Sequence, residues 1–173
     1  ADTTNTVSQI PIGTAGQVMV SGGSGVAPSF SSSFIGKTIT KSKAEDETVT
    51  TSTTLQDDDD FNSTIGANET WDVLITAQCV FGAGNGKIAF TVPSGCTATM
   101  AGTISSAGFA SATATTAKAI AVTLTTSSYF TVMATFTNGA NAGTIQFKFA
   151  QNTSNGTATT FKKDSKYIAV RRA

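Results

Sequence analysis

The sequence is poor in the residues on which many active sites depend. Its 173 residues include no histidine, two cysteines, three prolines and one tryptophan. Without histidine it lacks Ser-His-Asp and Cys-His chemistry and the commonest metal ligand. Two cysteines are too few for a disulfide framework in a domain of this length. No apolar run approaches the roughly 18 residues of a membrane span. We therefore expect neither a histidine-dependent active site nor a membrane segment.

Charge is also scarce. Lysine plus arginine and aspartate plus glutamate both number 11, so the formal net charge is zero. With this balance the chain has no net positive charge that would attract nucleic acid or an anionic membrane. The polar surface is therefore rich in hydroxyl and amide groups, which are a weak deterrent to association. The glycines lie in hairpin and linker contexts, without a phosphate-binding loop, and no cofactor or metal is predicted.

Apolar and polar residues alternate with a period of two along much of the chain, which predicts β-strands. The clearest alternation covers residues 71–81, 87–92, 130–136, 145–149 and 167–171. Weaker strands are predicted at residues 47–55, 60–65, 97–104 and 118–125, and residues 107–121 are interpreted as loop and strand. Pairs such as Asn85-Gly86 supply turn chemistry, and no window has a helical period. The pattern predicts an antiparallel β-sandwich.

The chain divides by composition into two regions. Residues 1–36 are rich in glycine, serine and threonine, and Ser31-Ser32-Ser33 is interpreted as a linker. Residues 37–47 carry mixed charges and are predicted to be solvated. Residues 37–173 are predicted to form the sandwich domain.

Residues 16–30 (GQVMVSGGSGVAPSF) contain two short apolar runs, at 18–20 and 26–28, around a glycine-rich turn. They predict a small hairpin that cannot bury enough surface to fold alone. The runs are more apolar than a free linker, and pairing with another chain would satisfy the backbone. We therefore predict an anchor arm. Its candidate interaction residues are Gln17, Val18, Val20, Val26, Pro28 and Phe30.

Carboxylates offer the remaining candidate sites. The run Asp57 to Asp60 is interpreted as a solvated turn or strand edge that discourages unwanted pairing. The alternative is a Ca²⁺ site, although the run lacks the alternating ligands and the glycine of a Ca²⁺ loop. Glu69 and Asp72 could form a glycosidase pair, but one tryptophan and two tyrosines offer little surface for stacking on a sugar.

Two further groups of residues leave alternatives open. Cys79 is predicted to lie in the core and Cys96 in a loop. A bond between them is open, and assembly in the cytoplasm would favour free thiols. A basic cluster near the C-terminus is interpreted as solvated or as pairing with a neighbour's acidic run. It comprises Lys162, Lys163, Lys166, Arg171 and Arg172.

Two sets of motifs carry a resemblance. Residues 13–20 (GTAGQVMV) and 25–30 (GVAPSF) resemble a short motif of tail-fibre and other appendage proteins of tailed bacteriophages. Several later motifs are similar to a β-sandwich domain that recurs in phage virion proteins: 52–61 (STTLQDDDDF), 67–71 (ANETW), 90–95 (FTVPSG), 142–147 (AGTIQF) and 150–152 (AQN). The resemblance implies a jelly-roll-like sandwich, a homotrimer and a place on the virion surface.

Three functions follow as hypotheses. The first is a structural protein that decorates or cements the capsid, or a head fibre, assembled in the host cytoplasm. Its arm would bind the major capsid protein or another virion protein. The second is a tail-fibre or tail-tip subunit whose loops at 82–86 and 138–143 bind a host-surface glycan. The third, a polysaccharide-degrading enzyme, is disfavoured, and we expect no enzymatic activity.

Overall fold

The computed structural model describes residues 12–104, 107–114, 120–122 and 128–173. In these ranges all fourteen regular elements are β-strands and no helix occurs. Every strand pair is antiparallel. The predicted all-β antiparallel class is therefore confirmed. Within the same ranges there is no helix of the length and apolarity needed to cross a membrane.

The chain separates into two units, Ala1–Lys37 and Thr38–Ala173. The first unit contains β1 (Val18–Val20) and β2 (Ser29–Ser31), which form a two-stranded hairpin. Residues 1–11 of the predicted anchor arm lie outside the described residues. The predicted second strand at 26–28 is wrong, since β2 begins one residue after Pro28. Proline has no N–H for the ladder, and Gly23 and Gly25 have positive φ angles of 91° and 75°, so the turn extends further than the apolar pattern suggests.

The second unit is a sandwich of two sheets. Its strands are β3 (Thr38–Ser42), β4 (Glu47–Val49), β5 (Gln56–Ile65), β6 (Thr70–Val80), β7 (Gly86–Thr91), β8 (Thr97–Ile104), β9 (Ala107–Ala114), β10 (Ile120–Val122), β11 (Ser128–Thr137), β12 (Gly143–Gln151), β13 (Thr159–Phe161) and β14 (Lys166–Arg171). One sheet has the order β10-β7-β12-β5. The other has the order β3-β14-β6-β11-β8-β9, and β13 joins β4 to the end of β6.

Strand β6 is the centre of the larger sheet. It pairs with β11 from Thr70↔Thr137 to Cys79↔Ser128, and with β14 and β13 on its other side. Its odd-numbered residues are at most 2% exposed, so they face the core: Trp71, Val73, Ile75, Ala77 and Cys79. The alternation of apolar and polar residues in β6 thus reflects one buried face and one outer face of the sheet.

Aromatic rings from both sheets fill the space between them. Phe161 of β13 packs against four other phenylalanine rings, with centroid distances from 4.7 to 6.2 Å: Phe81, Phe130, Phe147 and Phe149. Phe90 of the smaller sheet meets Phe136 of the larger one edge to face, 5.1 Å away. Such tilted contacts stabilise a core beyond the burial of apolar area.

Most predicted strands in the sandwich are confirmed, but four regions differ. Residues 47–55 form a strand only at β4, and residues 37–47, predicted to be solvated, contain β3. The three residues of β13 were not predicted. β10 lies within the predicted strand 118–125, whose other residues fall outside the described ranges.

A close contact at the start of β7 makes Gly86 intolerant of a side chain. A Cβ atom there would lie 1.9 Å from Cε1 of Phe81, whose ring is buried against Phe161. We expect Gly86→Ala to lower the free energy of unfolding by ~1–3 kcal/mol through overpacking, measured by urea denaturation. The matched control is Gly156→Ala, where no atom lies within 4 Å of the new Cβ. A similar loss in both variants would contradict the steric explanation.

Candidate functional site

The hairpin of the first unit places the predicted interaction residues in two settings. Val18 and Val20 lie in β1 and Phe30 lies in β2, whereas Val26 and Pro28 lie in the connecting loop. Gln17 precedes β1. Its side-chain oxygen accepts the backbone N–H of Thr14 at 2.8 Å, so it shapes the turn that leads into the hairpin.

The register of the hairpin gives it two apolar faces. Val18 and Val20 stand opposite Ser31 and Ser29 and share their face, while Met19 stands opposite Phe30 on the other face. Met19 and Val26 are each 59% exposed. Met19 was missing from the predicted interaction residues. Its place beside Phe30 depends on the true position of β2, which the apolar pattern misplaced.

The loops proposed for glycan recognition use their polar groups within the chain. Asn138 is buried, and its Nδ2 donates to the carbonyl oxygens of Gly66 and Asn141 at 2.7 and 2.8 Å. In the loop at 82–86, the carbonyl oxygen of Asn85 accepts the hydroxyl of Thr159 at 3.1 Å. These contacts stabilise the loops, and they leave fewer amide groups for a sugar than the sequence suggested.

The acidic run lies in β5, the edge strand of the smaller sheet, and one of its carboxylates is buried. The side chain of Asp58 is 0% exposed and its Oδ2 is 2.8 Å from Nζ of Lys43, itself 1% exposed. The prediction of a solvated run is therefore wrong for Asp58, as is the prediction of a solvated segment for Lys43. Each charge is buried because the other compensates it.

Three carboxylates surround the Lys43 ammonium. Besides Asp58, the Oε2 of Glu47 lies 2.5 Å from Nζ and Asp60 Oδ2 lies 3.8 Å away. The ring of Phe61 covers the ammonium, with its centroid 5.6 Å away. Among the described residues, no group of three or more acidic or cysteine side chains has the arrangement of a metal site. Lys43 supplies the cation that these carboxylates surround.

The pKa values of this buried cluster shift in the directions its contacts require. Burial works to lower the pKa of Lys43, but the hydrogen bonds and charges of Asp58 and Glu47 outweigh it and raise the pKa above its ordinary value. Burial raises the pKa of Glu47, and the nearby charge of Asp58 adds to this despite the ammonium. Glu47 is therefore a stronger proton acceptor than a solvated glutamate.

A bulge in β5 determines how Asp58 is held. The ladder with β12 passes from Asn62↔Gln146 to Asp57↔Lys148, so residues 58–61 lie outside regular pairing. The backbone N–H groups of Asp60 and Phe61 donate instead to Oδ1 of Asp58, at 3.0 and 2.8 Å. One carboxylate oxygen thus accepts two backbone donors while the other faces Lys43.

Glu69 and Asp72, the residues considered as a glycosidase pair, have separate roles. Oε2 of Glu69 accepts the backbone N–H of Gly66 at 2.7 Å and the indole N–H of Trp71 at 2.8 Å. Asp72 lies on the outer face of β6, where it accepts the hydroxyl of Thr135 at 2.7 Å. Glu69 therefore stabilises the turn before β6, and Asp72 links neighbouring strands on the outer face of the sheet.

Four of the five basic residues near the C-terminus pair with acidic side chains of their own chain. Lys163 and Arg172 remain more than half exposed, in agreement with the prediction of a solvated cluster, and pairing with a neighbour's acidic run stays a prediction. Lys162 pairs with Asp46, and Lys163 lies 3.9 Å from Glu45. Two arginines bind at the end of the larger sheet: Arg171 with Glu69 at 3.3 Å and Arg172 with Asp72 at 3.4 Å. Lys166 donates to the hydroxyl of Ser42 at 2.7 Å.

Both cysteines are free and buried. Cys79 lies on the inner face of β6, as predicted, and burial raises its thiol pKa well above the usual value. Cys96 follows the turn at 94–95, and burial raises its pKa as well. A raised pKa lowers the thiolate fraction, so both residues act as small apolar side chains in the core.

The outer face of the larger sheet carries a shallow apolar groove of about 490 Å³. Its lining includes Leu74, Ala101, Met133, Ile168 and Val170, from four adjacent strands. Met133 is 64% exposed. Each of these residues occupies an outer-facing position in the alternation, so only the strand order shows that they are neighbours.

Comparisons with known proteins give little further information. No protein-family model matches this sequence, and no curated protein sequence matches it. Among solved structures, the structure of infectious bursal disease virus Gx strain is similar at 9% identity, with a TM-score of 0.19. That alignment covers 90% of this chain and 41% of the other. So low a TM-score carries no argument, and function must be inferred from the chain's own residues.

Proposed function

We propose that this chain is a structural protein of a tailed-bacteriophage virion, which decorates or cements the capsid exterior as a homotrimer. Residues 1–36 would anchor it to the major capsid protein or another virion protein. The observation that carries the proposal is the hairpin β1–β2, which exposes apolar side chains on a two-stranded sheet in a unit of its own. A two-stranded hairpin is marginally stable at best in water, and a partner would bury these side chains.

Two further features support association rather than catalysis. The groove around Met133 offers apolar surface at the outer face of the larger sheet, where a second copy could pack. The carboxylates considered for catalysis are held by Trp71, Thr135 and Arg172 instead. Three arms on one trimer would bind a shell far more tightly than one arm, because the second and third contacts are intramolecular.

The proposal is tested by counting copies of this chain in purified particles with quantitative mass spectrometry. A shell covered symmetrically by trimers carries copies on the order of hundreds, which is the expected result. A count on the order of ten or twenty would place the chain on the tail and support the receptor-binding fibre instead. Absence of the chain from particles would overturn the virion assignment.

Counting copies per particle for variants in residues 1–36 tests whether the hairpin anchors the chain. Met19→Asp places a charge on the face shared with Phe30, and burial of a methionine contributes ~1.5–3 kcal/mol. We expect the affinity of each arm to fall by about ten- to a hundredfold, with a matching loss of copies per particle. Ile35→Asp is the control, because Ile35 is 72% exposed in the same unit but lies outside the hairpin. Equal occupancy for both variants would contradict the role of the hairpin.

A further inference from the structure

Lys43 and Asp58 meet between the edge strands of the two sheets. Lys43 directly follows β3, at the edge of the larger sheet, and Asp58 lies in β5, at the edge of the smaller one. Their side chains are 1% and 0% exposed, and Nζ lies 2.8 Å from Oδ2. An amine and a carboxyl group held in contact away from water are the two reactants of an amide condensation.

The two oxygens of Asp58 are placed differently with respect to such a reaction. Oδ2 faces the amine, and Oδ1 accepts the backbone N–H groups of Asp60 and Phe61 at 3.0 and 2.8 Å. In a tetrahedral intermediate at Cγ, negative charge develops on the oxygen that remains as the carbonyl. Two backbone donors at that oxygen form an oxyanion hole, and the bulge in β5 provides both of them.

Glu47 is placed to move a proton. Its Oε2 lies 2.5 Å from Nζ of Lys43, on the same amine that would attack Asp58. The N–H groups of Asp59 and of the Gln56 side chain bind its two oxygens and fix the orientation of the carboxylate. The Phe61 ring lies over the ammonium, and the Lys43 side chain is 1% exposed, so the reacting groups are shielded from water. A nucleophile, an electrophile, a base and an oxyanion hole are therefore present together.

We propose that Lys43 and Asp58 condense without any other reactant to form an intramolecular amide, with Glu47 as the proton carrier. In the minor fraction of chains in which one proton has passed from the ammonium to Oδ2, the pair consists of an amine and a carboxylic acid. The amine lone pair attacks Cγ to form the C–N bond, and the C=O electron pair moves to Oδ1. Glu47 takes a second proton from Nζ and gives it to the Oδ2 hydroxyl. The carbonyl re-forms, the Cγ–Oδ2 bond breaks, and one water leaves.

The amide would join the two sheets covalently at one edge of the sandwich. It would close a loop from residue 43 to residue 58 that contains β4 and would restrict the unfolded chain as a disulfide does. Neither cysteine takes part, so the crosslink would resist reducing conditions.

The test is the intact mass of the full chain, denatured and measured with the sequence mass as reference. We expect a mass lower by one water molecule. Trypsin should then fail to cut after Lys43, because its amine is acylated, and should release residues 42–87 as one peptide. A mass equal to that of the sequence would overturn the proposal. Loss of water with normal cleavage after Lys43 would also overturn it, since that result indicates an aspartyl succinimide.

Variants separate the roles of the residues. Asp58→Ala should restore the full mass, whereas Asp57→Ala, which removes the exposed neighbour that pairs with Lys148, should keep the loss of water. Glu47→Gln should also retain the full mass, with circular dichroism confirming that the chain is folded. A folded Glu47→Gln chain that still loses water would show that Glu47 is not the proton carrier. Loss of the crosslink in Asp57→Ala would overturn the assignment to Asp58.

Discussion

Replacing Lys43 by methionine should lower the free energy of unfolding by ~3–5 kcal/mol, because the buried carboxylate of Asp58 would lose its compensating charge. Methionine has a similar length, so the loss reports charge more than volume. The side chains of Lys43 and Asp58 are 1% and 0% exposed, which leaves water no means of replacing the ammonium. Urea denaturation at neutral pH, with the slope compared to wild type, measures the effect.

The preceding residue of the acidic run, Asp57, provides the control. Lys148 pairs with Asp57, whose side chain is 61% exposed, and Lys148→Met should change the free energy of unfolding by no more than about 1 kcal/mol. The double variant Lys43→Met with Asp58→Asn should recover much of the loss, since it removes both charges but keeps an acceptor for the two backbone N–H groups. The proposed Lys43–Asp58 amide is lost in both variants, and the double variant does not recover its share of the stability, so the intact mass of each chain is measured alongside to separate the two contributions. Equal effects of Lys43→Met and Lys148→Met would contradict the buried-pair argument.

Truncating Phe161 to alanine should lower the free energy of unfolding by ~3–5 kcal/mol, because it leaves a cavity in the middle of the aromatic core. Phe161 is fully buried and touches rings on both sheets, including Phe149 at 4.7 Å and Phe130 at 6.0 Å between centroids. The remaining rings are fixed by their own strands and cannot all move into the space. Thermal and urea unfolding measure the loss.

A matched truncation on the outer face tests whether burial is the cause. Met133→Ala removes a large apolar side chain that is 64% exposed, and it should change the free energy of unfolding by about 0.5 kcal/mol or less. Phe161→Leu should fall between the two, since it retains part of the volume. An effect of Phe161→Ala as small as that of Met133→Ala would mean that the core closes around the missing ring.

The strands that the sequence predicts well are those with one buried and one outer face over many residues. β6, β11 and β12 each have at least nine residues, so their alternation of apolar and polar residues can be recognised from the sequence alone. β13 has three residues and only one of them is apolar, so its alternation carries no signal. Its position follows from pairing with β4 and the end of β6, which are distant in sequence.

The buried charge cluster could not be predicted for a related reason. Lys43 stands among charged neighbours in the sequence, and nothing local distinguishes it from a solvated lysine. Its burial depends on Asp58, fifteen residues away, and on a bulge that turns two N–H groups toward that carboxylate. Likewise, Met19 faces Phe30 only because the hairpin turn extends through Pro28. The buried charge cluster and the Met19–Phe30 pair both depend on how neighbouring strands are aligned, which residue composition does not specify.

The edge position of β3 has a mechanical consequence. Tension transmitted along the first unit would enter the sandwich at Thr38, which pairs with Val170 at the end of the β3–β14 ladder. Among the described residues β3 pairs only with β14, so such tension would open its hydrogen bonds one pair after another, at low force. This opening would proceed from Thr38 to Ser42 and then reach Lys43, where the chain is attached to the other sheet through Asp58. The force needed to extend the protein further would rise at that residue, so the chain would lengthen by about five residues before the resistance increased.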